Sequence, residues 1–130
     1  MKELRGIAVD AAHSEKNKIT EFQGVDLETG EILFYESLGH QTVNIGEFLA
    51  IVWAAKYILK NNYQPPIIYS DSNTAISWFK NKSTASKKKN KWMKKAEIYL
   101  KISAYWIDQI EVLKWDNKTM GETPADFGRK

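Results

Sequence analysis

The chain has 130 residues, no cysteine, 19 basic and 16 acidic residues, and a net charge of +3. A composition of 43% hydrophobic and 12% aromatic residues predicts one globular domain, residues 1–130, and excludes a disordered chain. The lack of cysteine excludes disulfides, zinc–thiolate sites and thiol catalysis, and the lack of a long apolar run or signal sequence leads us to expect a cytoplasmic protein without membrane association.

Hydrophobic patterning predicts three strands at the start of the chain, at residues 4–11, 19–25 and 31–38, with a hairpin connection at 26–30. A helix then follows to about Lys60. Asn44 is its expected N-cap, and Glu47, three residues later, would complete a capping box.

The second half alternates strands and helices. We expect a strand at 67–70 that ends at Asp71, a helix at 73–81, a longer helix from Trp92 to about Ile107 and a strand at 110–115. A polar loop covers 116–122, and Thr123 and Pro124 are expected to open a last short helix.

This β-β-β-α-β-α-α-β-α order predicts an α/β fold. Its five-stranded mixed sheet would have three antiparallel strands followed by parallel additions, with helices on its faces. The first strand would be central, and the strand at 67–70 would pair beside it.

Asp10 lies in the middle of the first predicted strand, where burial of its charge costs several kcal/mol unless a basic partner, a raised pKa or a metal ion compensates. No lysine or arginine lies within four residues of it. Glu47, Asp71 and Asp126 each fall at an element boundary from which the fold could bring them back to Asp10. Four carboxylates at one place would fit divalent cations, which take oxygen ligands.

Each of the other three acids also has a purely structural interpretation. Glu47 could complete the capping box, Asp71 could cap the helix that follows it, and Asp126 could favour a helix N-terminus through the macrodipole. Asp10 fits such an interpretation poorly, because aspartate is disfavoured within strands.

Eight lysines and no acid lie between residues 80 and 95, whereas the remainder of the chain is net negative by five. One basic segment on an acidic body favours a polyanionic partner, although a solubilising loop would have the same composition.

The motifs VD at 9–10, NIGEFLA at 44–50, YSDS at 69–72 and PADFGR at 124–129 resemble, in order, those of type 1 ribonuclease H. The match looks closest to the bacterial group whose members often carry an N-terminal hybrid-binding, viroplasmin-like domain, which we expect to be absent here. The resemblance implies a ribonuclease H-like fold and endonucleolytic cleavage of the RNA strand in RNA–DNA hybrids, leaving 5′-phosphomonoesters. It also implies two Mg²⁺ ions, with Mn²⁺ as a possible substitute, and we expect a monomer without an obligate protein partner.

The same resemblance implies a set of site residues. Asp10 would bridge both metals, and Glu47, Asp71 and Asp126 would complete the coordination. Asn44 and Asn73 would contact the hybrid near its minor groove. The basic protrusion that grips the DNA strand would comprise Lys87, Lys88, Lys89, Lys91 and Trp92.

Three departures from the family pattern bear on activity. The loop after Asp10 lacks the usual glycine and asparagine pattern, and Val43-Asn44 stands before Glu47 where members often have two consecutive asparagines. The loop before Asp126 lacks the histidine found in many members, so Asn117 or Glu122 is a candidate substitute. His13 and His40 lie elsewhere and are interpreted as surface or loop residues. Two alternatives stay open: a DNA nuclease of the resolvase or integrase type on the same fold, and a non-catalytic hybrid-binding module.

Overall fold

The structure, a computed structural model, describes residues 4–84 and 91–127. The strands are β1 Ile7–Ser14, β2 Ile19–Asp26, β3 Ile32–Ser37, β4 Ile67–Ser70 and β5 Glu111–Lys114. The helices are α1 Val43–Asn61, α2 Asn73–Asn81, α3 Lys91–Ile102, α4 Ala104–Ile107 and α5 Asn117–Met120. Within these ranges, none of the helices combines the length and the apolar character that crossing a bilayer requires.

The five strands form one sheet in the order β3-β2-β1-β4-β5. The β1–β2 and β2–β3 pairs are antiparallel, and the β1–β4 and β4–β5 pairs are parallel. The predicted mixed sheet, with β1 at its centre and β4 beside it, is therefore confirmed. β1 runs to Ser14 rather than ending at residue 11, because Ser14 still pairs with Ile19 of β2 across a tight turn.

Helix α1 covers one face of the sheet and supplies most of the core. Phe48 and Val52 are fully buried in one apolar cluster with Ile7, Val9 and Ala11 of β1. The other face of β1 carries Ala8, which packs in a second, smaller cluster with Val25 and Ala125. The central strand is thus covered on both sides, so polar side chains on it are withdrawn from water.

The expected start of α1 is wrong by two residues. Thr42 is the N-cap, and its hydroxyl accepts a hydrogen bond from the Ile45 amide at 3.4 Å. Asn44 is an exposed residue inside the first turn. A capping box of Asn44 and Glu47 is therefore wrong, because Asn44 is not the N-cap, and the buried Glu47 carboxylate is hydrogen-bonded to β1.

The predicted helix from Trp92 to Ile107 is divided at Ser103 into α3 and α4. The Ser103 amide donates to the Tyr99 carbonyl at 2.9 Å, and the Ser103 carbonyl accepts from the Trp106 and Ile107 amides. One residue therefore ends the first helix and begins the second.

The short helix expected after Thr123 is also wrong for the described residues, which reach Phe127. The Asp126 amide donates to the Thr123 carbonyl in a single turn. The Ala125 carbonyl accepts from the Gln23 side chain at 2.7 Å, and this contact with the sheet holds the segment in place of helical bonding.

Candidate metal centre

Asp10 lies in β1 and has no exposed surface. β1 is hydrogen-bonded to β2 on one side and to β4 on the other, so neighbouring strands fix its backbone from both directions. A buried carboxylate on a rigid central strand is costly to desolvate and cannot move away from its neighbours. This is the environment that the position of Asp10 in the sequence predicts.

The register of the parallel β1–β4 pair brings Asp71 beside Asp10. Ile7 pairs with Ile68 and Ala8 with Tyr69, so the same offset carried along the strands sets Asp71 opposite Asp10. Asp71 directly follows the last residue of β4, at the carboxyl end where ligand sites of such sheets occur. The cap of α2 is the Ser72 hydroxyl, which accepts from the Ala75 amide, so the interpretation of Asp71 as the helix cap is wrong.

Glu47 reaches the same place from α1. Its Oε1 accepts a hydrogen bond from the Ala11 amide at 3.2 Å, and the side chain is buried. The approach depends on Gly46. A Cβ at that position would lie 2.9 Å from Thr20 Cγ2 and 3.0 Å from Ala11 Cβ, so a larger residue would push the helix off the sheet.

Three of the four predicted acids converge. One carboxylate oxygen from each of Asp10, Glu47 and Asp71 lies within 4.8 Å of the other two. Asp126 is not a member of this cluster. Asp126 follows Ala125, whose carbonyl accepts a hydrogen bond from the Gln23 side chain. Gln23 pairs with Asp10 across β1 and β2. Its part in metal binding stays a prediction.

Two residues of the β5–α5 region hold Asp71. Asn117 donates from Nδ2 to Asp71 Oδ2 at 3.2 Å, and Lys114 donates from its ammonium to the Asp71 carbonyl oxygen. Asn117 was a candidate from the sequence, whereas Lys114 was missed because a lysine on an edge strand carries no specific signal. Glu122, the other candidate, is exposed. Gln23 and Gly46 were also missed, although Gln23 is recognisable once the register opposite Asp10 is known.

The residues expected to contact substrate lie mainly at helix starts. Asn44 and Asn73 are exposed in the first turns of α1 and α2, and Lys91 is exposed at the start of α3. Trp92 is 38% exposed, and its ring lies 6.3 Å from that of Trp53 on α1, measured between centroids. The predicted contacts at Lys87, Lys88 and Lys89 lie outside the described residues.

A positively charged surface continues from Trp92 onto α1. The Lys56 ammonium lies 4.7 Å from the Trp53 ring centroid and 4.9 Å from that of Tyr99. Partial burial, followed by the nearby positive charge of Lys95, lowers the pKa of Lys56 below its usual value. Cations and aromatic faces interleaved in this way can accept a phosphate backbone and stack against a base or sugar.

The donor set of the acidic cluster fits a hard divalent cation. All three side chains present carboxylate oxygens, and one oxygen from each lies within 4.8 Å of the other two. Mg²⁺ and Mn²⁺ take such ligands, and Mg²⁺ characteristically combines few carboxylates with water and phosphate oxygens. The residues present therefore fit a divalent cation that takes oxygen ligands.

Solved structures share this architecture. LC11 ribonuclease H1, isolated from compost by a metagenomic approach, matches with a TM-score of 0.59 and 15% identity over 92% of this chain and 89% of that one. The same enzyme in complex with an RNA/DNA hybrid matches with a TM-score of 0.53 and 15% identity, over 87% and 86% of the two chains.

A third similar structure is the N-terminal ribonuclease H domain of a Mycobacterium tuberculosis protein, solved as a fusion with maltose-binding protein. It has a TM-score of 0.54 and 12% identity over 87% of this chain and 81% of that one. At these identities the likeness establishes the ribonuclease H-like fold. A family model for reverse transcriptase-like proteins matches residues 8–107, which include Asp10, Glu47 and Asp71. The chain belongs to this reverse transcriptase-like family.

Proposed function

We propose that this protein is a metal-dependent ribonuclease H that cleaves the RNA strand of RNA–DNA hybrids and leaves 5′-phosphomonoesters. The observation that carries the proposal is the convergence of the Asp10, Glu47 and Asp71 carboxylates within 4.8 Å. The ribonuclease H-like fold supports it, as does the hybrid bound by LC11 ribonuclease H1.

The proposed cofactor is a pair of Mg²⁺ ions, for which Mn²⁺ could substitute. When bound, such ions supply an activated water for in-line attack and neutralise charge on the 3′-oxygen leaving group. The chain contributes fixed oxygen ligands: the strand backbone fixes Asp10, the Ala11 amide orients Glu47, and Asn117 orients Asp71. Asp126 is the proposed fourth ligand.

The hybrid would be recognised by its two different strands. Asn44 and Asn73 are proposed to contact the minor groove, where RNA presents 2′-hydroxyls. Lys91 and Trp92, together with the lysines at 87–89, are proposed to hold the DNA strand through its phosphates. Recognition of this kind depends on shape and charge, so sequence preference should be weak and binding should weaken steeply with salt.

The test compares four substrates in Mg²⁺: an RNA–DNA hybrid, duplex DNA, duplex RNA and branched DNA. We expect cleavage of the RNA in the hybrid alone. Asp71→Asn should lower the rate by at least about a hundredfold, because loss of a direct ligand exceeds the usual cost of losing a residue that orients one. Hybrid binding should be retained. Asp108→Asn, at an exposed aspartate paired with Lys82, is the matched control and should cleave normally.

Two outcomes would replace the proposal. Preferential cleavage of branched or duplex DNA would indicate a nuclease of the resolvase or integrase type. Hybrid binding without cleavage in Mg²⁺ or Mn²⁺ would indicate a non-catalytic binding module.

A further inference from the structure

A second group of potential metal ligands lies at the end of the β1–β2 hairpin. It consists of His13 near the end of β1, Glu15 in the turn that follows, and His40 in the loop between β3 and α1. One ligand atom from each residue lies within 4.8 Å of the other two. The two imidazole rings lie 5.3 Å apart between centroids, at an interplanar angle of 48°. None of the three belongs to the acidic cluster.

The orientation and tautomer of His13 are fixed by buried Thr20. The Thr20 hydroxyl donates its one proton to the Gln41 carbonyl at 2.5 Å, so it must accept from His13 Nδ1, which lies 2.7 Å away. Nε2 forms the other ring hydrogen bond, to Glu15, and becomes the metal-binding nitrogen when it loses its proton. Metal-binding histidines are held in this way, with the second ring nitrogen donating to a protein oxygen.

Thr20 also fixes the loop that carries His40. Its amide donates to the Gly39 carbonyl at 2.7 Å, and its carbonyl accepts from the Leu38 amide at 2.8 Å. Its hydroxyl accepts from the Gln41 amide at 3.3 Å. Hydrogen bonds to a single strand residue therefore hold the backbone on both sides of His40, and the two histidines share one support.

Glu15 is hydrogen-bonded to the other ring nitrogen of His13, and a metal ion would take the place of the shared proton. Its Oε1 lies 3.1 Å from His13 Nε2, while its Oε2 lies 3.5 Å from the Lys18 ammonium. An ion at the usual zinc bond length of about 2.05 Å from both atoms would make an angle of about 100° between them, close to tetrahedral. The Lys18 contact uses the other oxygen and leaves this approach open.

We propose that His13, Glu15 and His40 form a binding site for Zn²⁺, completed by a solvent molecule. Two imidazoles and one carboxylate favour zinc over the magnesium that an all-carboxylate cluster takes. The ion would tie the β1–β2 hairpin, whose first strand carries Asp10, to the loop that leads into α1, the helix that carries Glu47. The proposal does not depend on hybrid cleavage, since binding can be measured without substrate.

The experiment is calorimetric titration of Zn²⁺ into the Asp10→Asn protein, with Mg²⁺ in excess, so that the acidic cluster contributes little. We expect one equivalent of zinc to bind. Addition of His40→Ala should weaken this binding at least about tenfold, because loss of a ligand costs no less than loss of an orienting residue. Glu28→Gln, at an exposed acid paired with Arg5, is the control and should bind normally.

Histidine NMR gives an independent readout, because the chain has only two histidines and no cysteine. Zinc should shift the imidazole signals of both His13 and His40, and at saturation it should raise the melting temperature by at least about 5 °C. Unchanged imidazole signals, or zinc binding that His40→Ala leaves intact, would overturn the proposal.

Discussion

Glu47 on helix α1 and Ala11 on strand β1 are joined by a buried hydrogen bond of 3.2 Å from the Ala11 amide to the Glu47 carboxylate. Ala11 directly follows Asp10, so this bond fixes the distance between two acids that are 37 residues apart in the chain. It replaces the capping role that the local sequence suggests for Glu47. The acidic cluster therefore depends on how closely α1 approaches the sheet.

Replacement of Gly46 should disturb this approach. The Cβ of Gly46→Ala would lie 2.9 Å from Thr20 Cγ2 and 3.0 Å from Ala11 Cβ, which is closer than ordinary van der Waals contact. The two additional methyl groups of Gly46→Val would add to this clash. We expect a loss of about 1–3 kcal/mol in the free energy of unfolding, larger for valine. Hybrid cleavage should fall in the same order. Urea unfolding and initial rates measure the two effects, and a valine variant with normal stability and rate would contradict this packing.

Asn117 should act as a positioning residue for Asp71. Asn117→Ala removes the bond to Asp71 Oδ2, so the carboxylate is held less firmly. We expect the Mg²⁺ concentration that gives half-maximal cleavage to rise about 10–100-fold, so that the rate is largely restored at high Mg²⁺ concentration. Asp108→Asn, at the exposed aspartate paired with Lys82, is the comparison and should behave as wild type. If Asn117→Ala lowered the rate equally at all Mg²⁺ concentrations, Asn117 would have a role other than orienting Asp71.

Stability in acid should depend on Tyr63 and Asp26. Burial by itself raises the pKa of Asp26, but hydrogen bonds from Tyr63 and Thr29 outweigh it and hold the pKa below its usual value. Burial, and next the hydrogen bond to Asp26, raise the pKa of Tyr63. The Asp26 contribution is thus complete above the unfolded pKa of about 4 and is lost as the pH falls through the lower folded value.

Tyr63→Phe removes one of these bonds and a contact of 2.9 Å with the Gly6 carbonyl. We expect it to cost about 1–3 kcal/mol at pH 7, where a charged acceptor is left with fewer donors, and to cost less near pH 3. Urea unfolding at both pH values tests this. A penalty that is equal at pH 7 and pH 3 would show that Asp26 ionisation is not involved.

The positively charged surface around Lys91 and Trp92 should determine how steeply hybrid binding weakens with salt. Lys91→Ala should reduce the slope of log affinity against log salt by about one, as expected for one lost phosphate contact. Lys60→Ala, at the far end of α1, is the matched control and should leave the slope unchanged. Fluorescence anisotropy at several salt concentrations measures the slope for each variant. Equal slopes for Lys91→Ala and Lys60→Ala would show that Lys91 does not contact a phosphate.

Trp92→Ala tests the aromatic part of the same surface. Its ring packs near Trp53 and remains partly exposed, so it can contact a base or sugar. A loss of about 1–3 kcal/mol in hybrid binding is expected if it stacks on the nucleic acid, with little change in the salt slope. Unchanged affinity would contradict that assignment.

Much of the fold follows from periodicity and turn residues in the sequence. The strand order could be predicted because two hairpins and two helical crossovers leave few arrangements, and β4 and α2 fall at their predicted bounds. The start of α1 could not be predicted from the sequence, because Thr42 and Asn44 are both good N-caps and tertiary contacts decide between them. The last segment could not be predicted either, because Ala125 packs with Ala8 and Val25, and nothing in the local sequence indicates this contact.

Part of the candidate metal centre could also be predicted from the sequence. Asp10 is conspicuous because its strand is otherwise apolar, and the acids at element boundaries follow from the fold. Gly46, Gln23 and Lys114 act through contacts between distant elements, and nothing local distinguishes them. The proximity of His13 and His40, both supported by Thr20, is likewise visible only in three dimensions.

The most direct test of the metal centre is a crystal structure of the protein soaked in Mn²⁺, with anomalous difference maps. We expect a peak among Asp10, Glu47 and Asp71, with carboxylate oxygens of all three at roughly the 2.0–2.1 Å typical of Mg²⁺ or slightly longer. A map without a peak among these residues, at Mn²⁺ concentrations that support cleavage of the hybrid, would contradict it.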